Sequence, residues 1–148
     1  MPMIDLTFPQ GALEAEQRSE LVEQLTTVLL RAERAPDTEF FRGITWVYVN
    51  ELPGEAVLAA GRPVAAPTFR VQVTTPEGAL SDRRRAELVA EATRVVREVA
   101  GIPESDGLRI WVLCHEVPEG RWGAAGQIVQ FSQLVAAADE ARAGVATA

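Results

Sequence analysis

The chain contains no lysine, so all 14 of its basic residues are arginine. Schiff-base or general-base chemistry at a lysine side chain is therefore excluded. Proline is the second residue, and once Met1 is removed the α-amine of Pro2 is the only aliphatic amine in the protein. A terminal secondary amine acts as a base, an acid or a nucleophile, depending on its burial and on neighbouring charges. Pro2 is thus the first candidate catalytic residue.

Cysteine and histidine are almost as scarce. Cys114 has no second cysteine to pair with, and His115 belongs to no metal-ligand spacing pattern. No internal disulfide, metal site or cofactor is expected. His115 and Glu116 are neighbours on a predicted strand, so their side chains point to opposite faces and do not act on one proton together. A single free cysteine is consistent with a reducing compartment.

The chain also lacks a surplus of positive charge and any long apolar run. Its net charge of −7 argues against nucleic acid or an anionic membrane as partner. It has no stretch of about 18 apolar residues, and its first residues are not those of a signal peptide. We expect a cytoplasmic protein whose partners are a small molecule and further copies of itself.

What the chain does contain is an internal duplication. A shift of 67 residues aligns residues 9–28 with residues 76–95 through a series of identities, and a shift of 65 aligns residues 46–61 with residues 111–126. The slip of two residues falls between the blocks, where a loop absorbs it. The sequence predicts a single domain over residues 1–148, with β-α-β units at residues 2–63 and 67–128 and a tail at residues 132–148.

Each unit shows the same order of elements. Apolar residues alternate along residues 4–8 and 69–73, as in a strand with one buried face, and a helix of about 20 residues with an apolar stripe follows. Ser81 is predicted to open the second helix and Gly101 to close it. Strands are then predicted over residues 44–49 and 108–114, and Pro/Gly-rich hairpins over residues 53–61 and 118–126.

The predicted fold class is α+β. The strands of each β-α-β unit lie parallel, joined by a right-handed crossover, and two units form a four-stranded sheet with both helices on one face. The other face carries Trp46 and Trp111, which would form a large apolar patch in water. We therefore expect self-association through that face. A short helix is predicted in the alanine-rich tail.

An N-terminal Pro2 followed by residues 3–6 (Met-Ile-Asp-Leu), a turn at Gly11 and a helix resembles the tautomerase superfamily. The hairpin at residues 116–126, Glu-Val-Pro-Glu-Gly-Arg-Trp-Gly-Ala-Ala-Gly, is similar to the one that ends the short 4-oxalocrotonate tautomerase chains. The doubled length resembles the fused members, such as cis-3-chloroacrylic acid dehalogenase and malonate semialdehyde decarboxylase. The resemblance implies a tautomerase/MIF-like fold and a homotrimer.

The resemblance also implies an activity. Pro2 acts as the general base in keto–enol isomerisation of a small 2-keto or unsaturated carboxylic acid, with one site per chain because the second copy has no free amine. An alternative is dehalogenase, hydratase or decarboxylase chemistry, in which protonated Pro2 is the acid and a carboxylate of Glu116, Glu51 or Asp5 activates water. A second alternative is a non-catalytic duplicated module that binds a ligand or only assembles.

The arginines that hold the substrate in the family are missing at their expected positions. Ala12, Ala79, Trp46 and Trp111 stand there instead. Arg70, Arg109 and Arg42 are the predicted replacements, because each lies on or near a predicted strand. Trp122, in the second hairpin, is predicted to form an apolar wall of the pocket.

One further arginine run attracts no such role. Residues 83–85 are three consecutive arginines at the start of the second helix, where the helix dipole disfavours cations. We expect them to form a solvated face.

Overall fold

A four-stranded sheet with two long helices against one face forms the body of the protein. The computed structural model describes residues 2–146, so Met1, whose removal the proposed chemistry requires, and the last two residues of the tail lie outside the described residues. The first unit comprises β1 (Met3–Pro9), α1 (Ala15–Glu33), α2 (Glu39–Gly43), β2 (Trp46–Leu52), β3 (Leu58–Ala59) and β4 (Arg62–Pro63). The second comprises β5 (Phe69–Pro76), α3 (Asp82–Val99), β6 (Ile110–Val117), β7 (Gly123–Ala124) and β8 (Gln127–Ile128), and α4 (Phe131–Ala146) follows.

The strand order is β2-β1-β5-β6. The outer pairs, β1 with β2 and β5 with β6, are parallel, as a β-α-β crossover requires. The two units join at the centre, where β1 and β5 are antiparallel and Met3 lies opposite Thr74. The predicted α+β fold with a four-stranded sheet and both helices on one face is confirmed.

The core lies between the sheet and the pair α1 and α3. Alternate residues of the central strands point into it: Ile4, Leu6, Phe8, Phe69, Val71 and Val73 are each no more than 2% exposed. They meet the helix stripes, in which Leu21, Leu25 and Leu29 of α1 are buried, as are Leu88, Val95 and Val96 of α3. Burial of this one apolar layer stabilises both units together.

The duplication is visible in the side-chain contacts as well as in the amino-acid sequence. Arg18 on α1 binds Glu51 of β2 (Nη1 to Oε1, 2.5 Å), and Arg85 on α3 binds Glu116 of β6 (Nη2 to Oε1, 3.2 Å). Both hairpins also turn through an Ala-Gly pair with positive φ, of which Ala60 and Ala125 are the non-glycine members. The two units therefore repeat both their ion pairs and their turn conformations.

Two boundaries differ from the prediction. β2 and β6 begin at Trp46 and Ile110, each two residues later than expected. In the first unit the preceding residues form α2, which begins after the capping hydroxyl of Thr38 and ends at Gly43, so that Ile44 is its C-cap. In the second unit a 3-10 turn occupies Glu104–Arg109. The sequence predicts strand at Ile44 and Leu108 because these apolar residues extend the β-branched runs, whereas both lie in or next to helical turns.

The sheet face opposite the helices carries exposed aromatic side chains. Trp46 and Trp111 are 60% and 65% exposed, and Tyr48 packs edge-on against Trp46 with ring centroids 6.4 Å apart. Helix α4 confirms the predicted tail helix and lies against α1 and α2 through Ala138, Leu30 and Phe41. Among residues 2–146, no helix is both long and apolar enough to cross a membrane.

Candidate active site

Pro2 is buried at the end of the sheet, immediately before β1. Its carbonyl accepts a hydrogen bond from the backbone N–H of Trp46 at 3.3 Å, which holds Pro2 against the start of β2. It lines a cavity of about 560 Å³. That volume lies within the range of small-molecule sites.

Much of the cavity wall is apolar. Phe41 and Ile44 contribute from α2 and the residue after it, and the turn that follows β5 contributes Pro76, Gly78 and Ala79. Helix α4 covers the cavity with one face, formed by Phe131, Leu134, Val135 and Ala138. Such a wall excludes water and strengthens every electrostatic interaction inside the cavity.

Four charged side chains complete the lining. Glu33 and Arg34 come from the end of α1, Arg84 from the first turn of α3, and Arg142 from α4. Arg142 is held by Asp139 (Nη1 to Oδ1, 2.6 Å) and donates to the carbonyl oxygen of Arg34, so it ties α4 to the end of α1. Three cations and one carboxyl group therefore surround the space next to Pro2.

Glu33 occupies an unfavourable position for a carboxylate. Its Oε1 is shielded from solvent and accepts no hydrogen bond from residues 2–146. Burial raises the pKa of Glu33 from 4.5 to about 7, although the positive charges of the chain's amino terminus and of Arg84 act in the opposite direction. The group is thus poised to gain or lose a proton near neutral pH.

Arg84 presents a guanidinium to the same cavity. Its Nη1 donates to the carbonyl of Ala32 at 3.0 Å and its Nε to the hydroxyl of Ser81 at 3.3 Å. Neither acceptor is charged, and Arg84 forms no ion pair within the described part of the chain. A half-buried arginine without a carboxylate partner is suited to bind an anionic ligand.

The three consecutive arginines do not form one solvated face. Successive residues of a helix point about 100° apart, so Arg83 pairs outward with Glu87 and Arg85 pairs with Asp82 and Glu116. Arg84, between them, is directed into the cavity beside Pro2. The sequence prediction missed Arg84 because it assigned all three arginines to one solvated face.

Comparison with known proteins links the second half of the chain to a family. The model of the family "Tautomerase enzyme" matches residues 70–132. The protein Pt0534, solved after inactivation by 2-oxo-3-pentynoate, is 27% identical, with a TM-score of 0.74 over 88% of this chain and 98% of that one. The chain is thus similar to this family over residues 70–132, and it has the fold of Pt0534 over most of its length.

Two further solved structures share the fold of this chain. N1, a member of the cis-3-chloroacrylic acid dehalogenase family, is 20% identical with a TM-score of 0.71 over 86% of this chain and 82% of its own. A fused 4-OT solved as a symmetric trimer is 19% identical with a TM-score of 0.71 over 86% of this chain and 94% of its own. No curated protein matches the chain by sequence.

One of the four positions at which a family arginine is missing lines the cavity. Ala79, where the resemblance places an arginine, lines the cavity next to Pro2. Arg84, five residues later, brings a guanidinium to the same space from α3. The superfamily's anion-binding group is thus absent from the turn, while another is present on the helix that follows it.

The predicted substrate-binding arginines lie elsewhere in the protomer. Arg70 donates to the hydroxyl of Thr7 (3.1 Å) on the open sheet face, and Arg109 is held by the carbonyl of Pro67 (2.8 Å) and by Asp106. Arg70 and Arg109 line a second cavity together, at the opposite end of β1 from Pro2. Within one chain they do not reach the Pro2 cavity.

Arg42 and Trp122 are also remote from the Pro2 cavity within one chain. Arg42 is paired with Asp37 (Nε to Oδ1, 2.5 Å) and with Glu23 (2.8 Å), which neutralise its charge. Trp122 lies in the second hairpin, where its carbonyl accepts from Val129 at 2.8 Å. Their roles in substrate binding stay predictions.

The carboxylates suggested by sequence have other surroundings. Glu51 and Glu116 are engaged by Arg18 and Arg85, and Asp5 lies on β1 between Tyr48 and Gln72. None of the three lines the Pro2 cavity. Glu33, the carboxyl group that does, carries no sequence signal, because a glutamate at the end of a helix is ordinarily a solvated residue.

We predict that Glu33→Gln changes the pH dependence of stability. The folded protein binds the Glu33 proton more tightly than the unfolded chain, so this stabilisation is complete below pH 4.5 and is lost as the pH rises to about 7. At about pH 8 the variant should be more stable than wild type by about 1 to 3 kcal/mol, and near pH 4 the two should be equal.

Urea unfolding at both pH values measures the difference. Glu20→Gln is the matched control, since Glu20 is exposed on the same helix and lies outside the cavity. An equal response of both variants to pH would show that Glu33 is an ordinary solvated carboxylate.

Proposed function

We propose that the protein is an enzyme that isomerises a small 2-keto or unsaturated carboxylic acid between its enol and keto forms. After removal of Met1, the secondary amine of Pro2 is the general base. The observation that carries the proposal is the position of Pro2, which is buried and lines a cavity together with Arg84, an arginine that forms no ion pair within residues 2–146. The match of residues 70–132 to the family "Tautomerase enzyme" supports it.

The surroundings favour a neutral amine. A base must be unprotonated, whereas a free α-amine titrates at about 7.7 to 8.0. The apolar wall from α2 and α4 penalises the charged form, and the guanidinium groups of Arg34, Arg84 and Arg142 repel it. Both effects increase the fraction of Pro2 that can accept a proton near neutral pH.

Arg84 is the proposed anchor for the substrate carboxylate. Its guanidinium is half-buried, held in place by two neutral oxygens and directed into the cavity, so it can offer hydrogen bonds to a carboxylate. The apolar wall opposite, with Phe41 and Phe131, suits a hydrocarbon tail. A monocarboxylate with an apolar tail, such as phenylenolpyruvate, matches both the Arg84 guanidinium and the apolar wall.

A second candidate is lyase, hydratase or dehalogenase chemistry with protonated Pro2 as the acid. The specific observation in its favour is the Glu33 carboxyl group in the same cavity. A carboxylate there stabilises a protonated amine and can activate water. The pKa of Pro2 separates the candidates, since a value below neutrality favours the base and one well above it favours the acid.

The functional unit is proposed to be a homotrimer. The sheet face opposite the helices carries Trp46 and Tyr48 on one edge strand and Trp111 on the other, each about half exposed or more, and such aromatic residues are enriched at interfaces. The structural neighbours that are fused 4-OT trimers support three copies. In a trimer, Arg70 and Arg109 could face the Pro2 cavity of a neighbouring copy.

Replacement of Pro2 tests the catalytic proposal. Pro2→Ala should lower kcat for phenylenolpyruvate ketonisation by at least about 100-fold, because it removes the secondary amine that accepts the proton. Ultraviolet absorbance of the enol follows the reaction. Equal rates for both proteins, or Met1 retained in the intact mass of the native protein, would contradict the proposal and favour the non-catalytic module.

Replacement of Arg84 tests the anchor. Arg84→Gln should raise KM by about 10-fold or more, since it removes a charge-assisted contact worth about 1.5 to 3 kcal/mol. Arg83→Gln is the matched control: its side chain points outward and pairs with Glu87. A KM that changes equally in both variants would assign the effect to net charge.

The assembly is tested by sedimentation equilibrium. Wild type should have three times the 16.0 kDa mass of one chain. Trp111→Arg should shift the protein towards monomer, because it replaces an exposed aromatic side chain of the proposed interface with a charge. A wild-type monomer, or a variant that assembles as wild type does, would contradict the role of this face.

A further inference from the structure

Three features of the Glu33 position disfavour a carboxylate and therefore reduce the stability of the fold. Glu33 ends α1, where the partial negative charge of the helix dipole disfavours a carboxylate. Its Oε1 is removed from water and has no hydrogen-bond partner in residues 2–146. Unsatisfied buried polar groups in native proteins commonly mark a functional site.

The backbone at this point holds Glu33 in place. Arg34, the residue that caps α1, adopts the left-handed conformation with φ 58°, which is unusual for a residue other than glycine. Its carbonyl is bound by Arg142 from α4, and the carbonyl of Ala32 is bound by Arg84 from α3. The residues on both sides of Glu33 are thus fixed by other elements, and its side chain lines the cavity that Pro2 lines.

We propose that Glu33 is a second proton-transfer residue of this site, which donates a proton to the substrate carbon while Pro2 removes the proton of the enol hydroxyl. This inference rests on the proposed function. The hydroxyl O–H pair becomes the second bond of the carbonyl, and the C=C pair forms the new C–H bond with the Glu33 proton. Turnover leaves prolinium and carboxylate, and a proton passing from Pro2 to Glu33 restores the starting state.

The charges around Glu33 allow this exchange. Arg34, Arg84 and Arg142 line the same cavity from the end of α1, from α3 and from α4, and Pro2, immediately before β1, also lines it. The cations stabilise the carboxylate formed in the step, while burial stabilises the acid, so that both forms are accessible near neutral pH. Pro2 and Glu33 then titrate as a coupled pair that holds one proton.

The test compares the pH profiles of wild type and Glu33→Gln with phenylenolpyruvate. Wild-type kcat/KM should rise as Pro2 deprotonates and fall as Glu33 deprotonates, giving a bell shape. Glu33→Gln should lower kcat by about 100-fold, change KM by less than about 3-fold and lose the alkaline limb. Glu20→Gln on the same helix should match wild type.

Two outcomes separate this inference from the proposed function. If Pro2→Ala is inactive while Glu33→Gln keeps wild-type kcat and its bell shape, the Glu33 role is overturned and the function of Pro2 stands. If Pro2→Ala is fully active, the proposed function fails instead.

A measurement without turnover covers the case of a poor substrate. Titration of ¹⁵N-labelled Pro2 by NMR should show two steps in wild type, one as Pro2 deprotonates and a second as Glu33 ionises, and Glu33→Gln should lose the second step. A single step in wild type would overturn the coupling and with it the proposal.

Discussion

The antiparallel pairing of β1 with β5 is the constraint on which the rest of the structure depends. It places Met3 opposite Thr74, so the first residue of the sheet lies beside the end of β5 and the turn that leads into α3. Pro2 is thereby brought to Ala79 and Arg84, which belong to the other copy of the duplicated unit. One register brings Pro2 of the first unit and Arg84 of the second to the same cavity.

The charges at the site are held in a setting that costs stability. The Oε1 of Glu33 is shielded from water at the C-terminal end of a helix, and Arg84 forms no ion pair within residues 2–146. Other charges of the protein are paired, as in Arg42 with Asp37 and Arg94 with Glu91. Both features support the proposal that the Pro2 cavity binds an anionic ligand and exchanges a proton.

Sequence patterns predicted most of the fold, because its determinants are local. The period-2 alternation gave β1 and β5, and Ser81 caps α3 as expected, accepting from the N–H of Arg84 at 3.4 Å. Internal repetition then implied the paired β-α-β units. Helix α2 escaped prediction because its five residues are too few to show helical periodicity.

The site was less predictable than the fold. Pro2 was found because a terminal proline in a chain without lysine is distinctive by itself. Glu33, Arg84 and α4 meet only through tertiary packing, and each is unremarkable in sequence: a glutamate at a helix end, one arginine of three, an alanine-rich tail. The predicted substrate-binding residues were chosen from their positions on or near strands, for Arg70, Arg109 and Arg42, or in a hairpin, for Trp122. Such positions do not show at which end of the sheet a residue lies.

The central claim is that Pro2 is a free amine, neutral near pH 7, inside the cavity. Its most direct test is the pH dependence of alkylation by 2-oxo-3-pentynoate, an electrophilic alkyne that adds to unprotonated amines, followed by peptide mass mapping. The label should fall on Pro2, at a rate that rises with pH and levels off near neutrality. Absence of label from Pro2, or a rate still rising well above the range of an ordinary α-amine, would contradict the account.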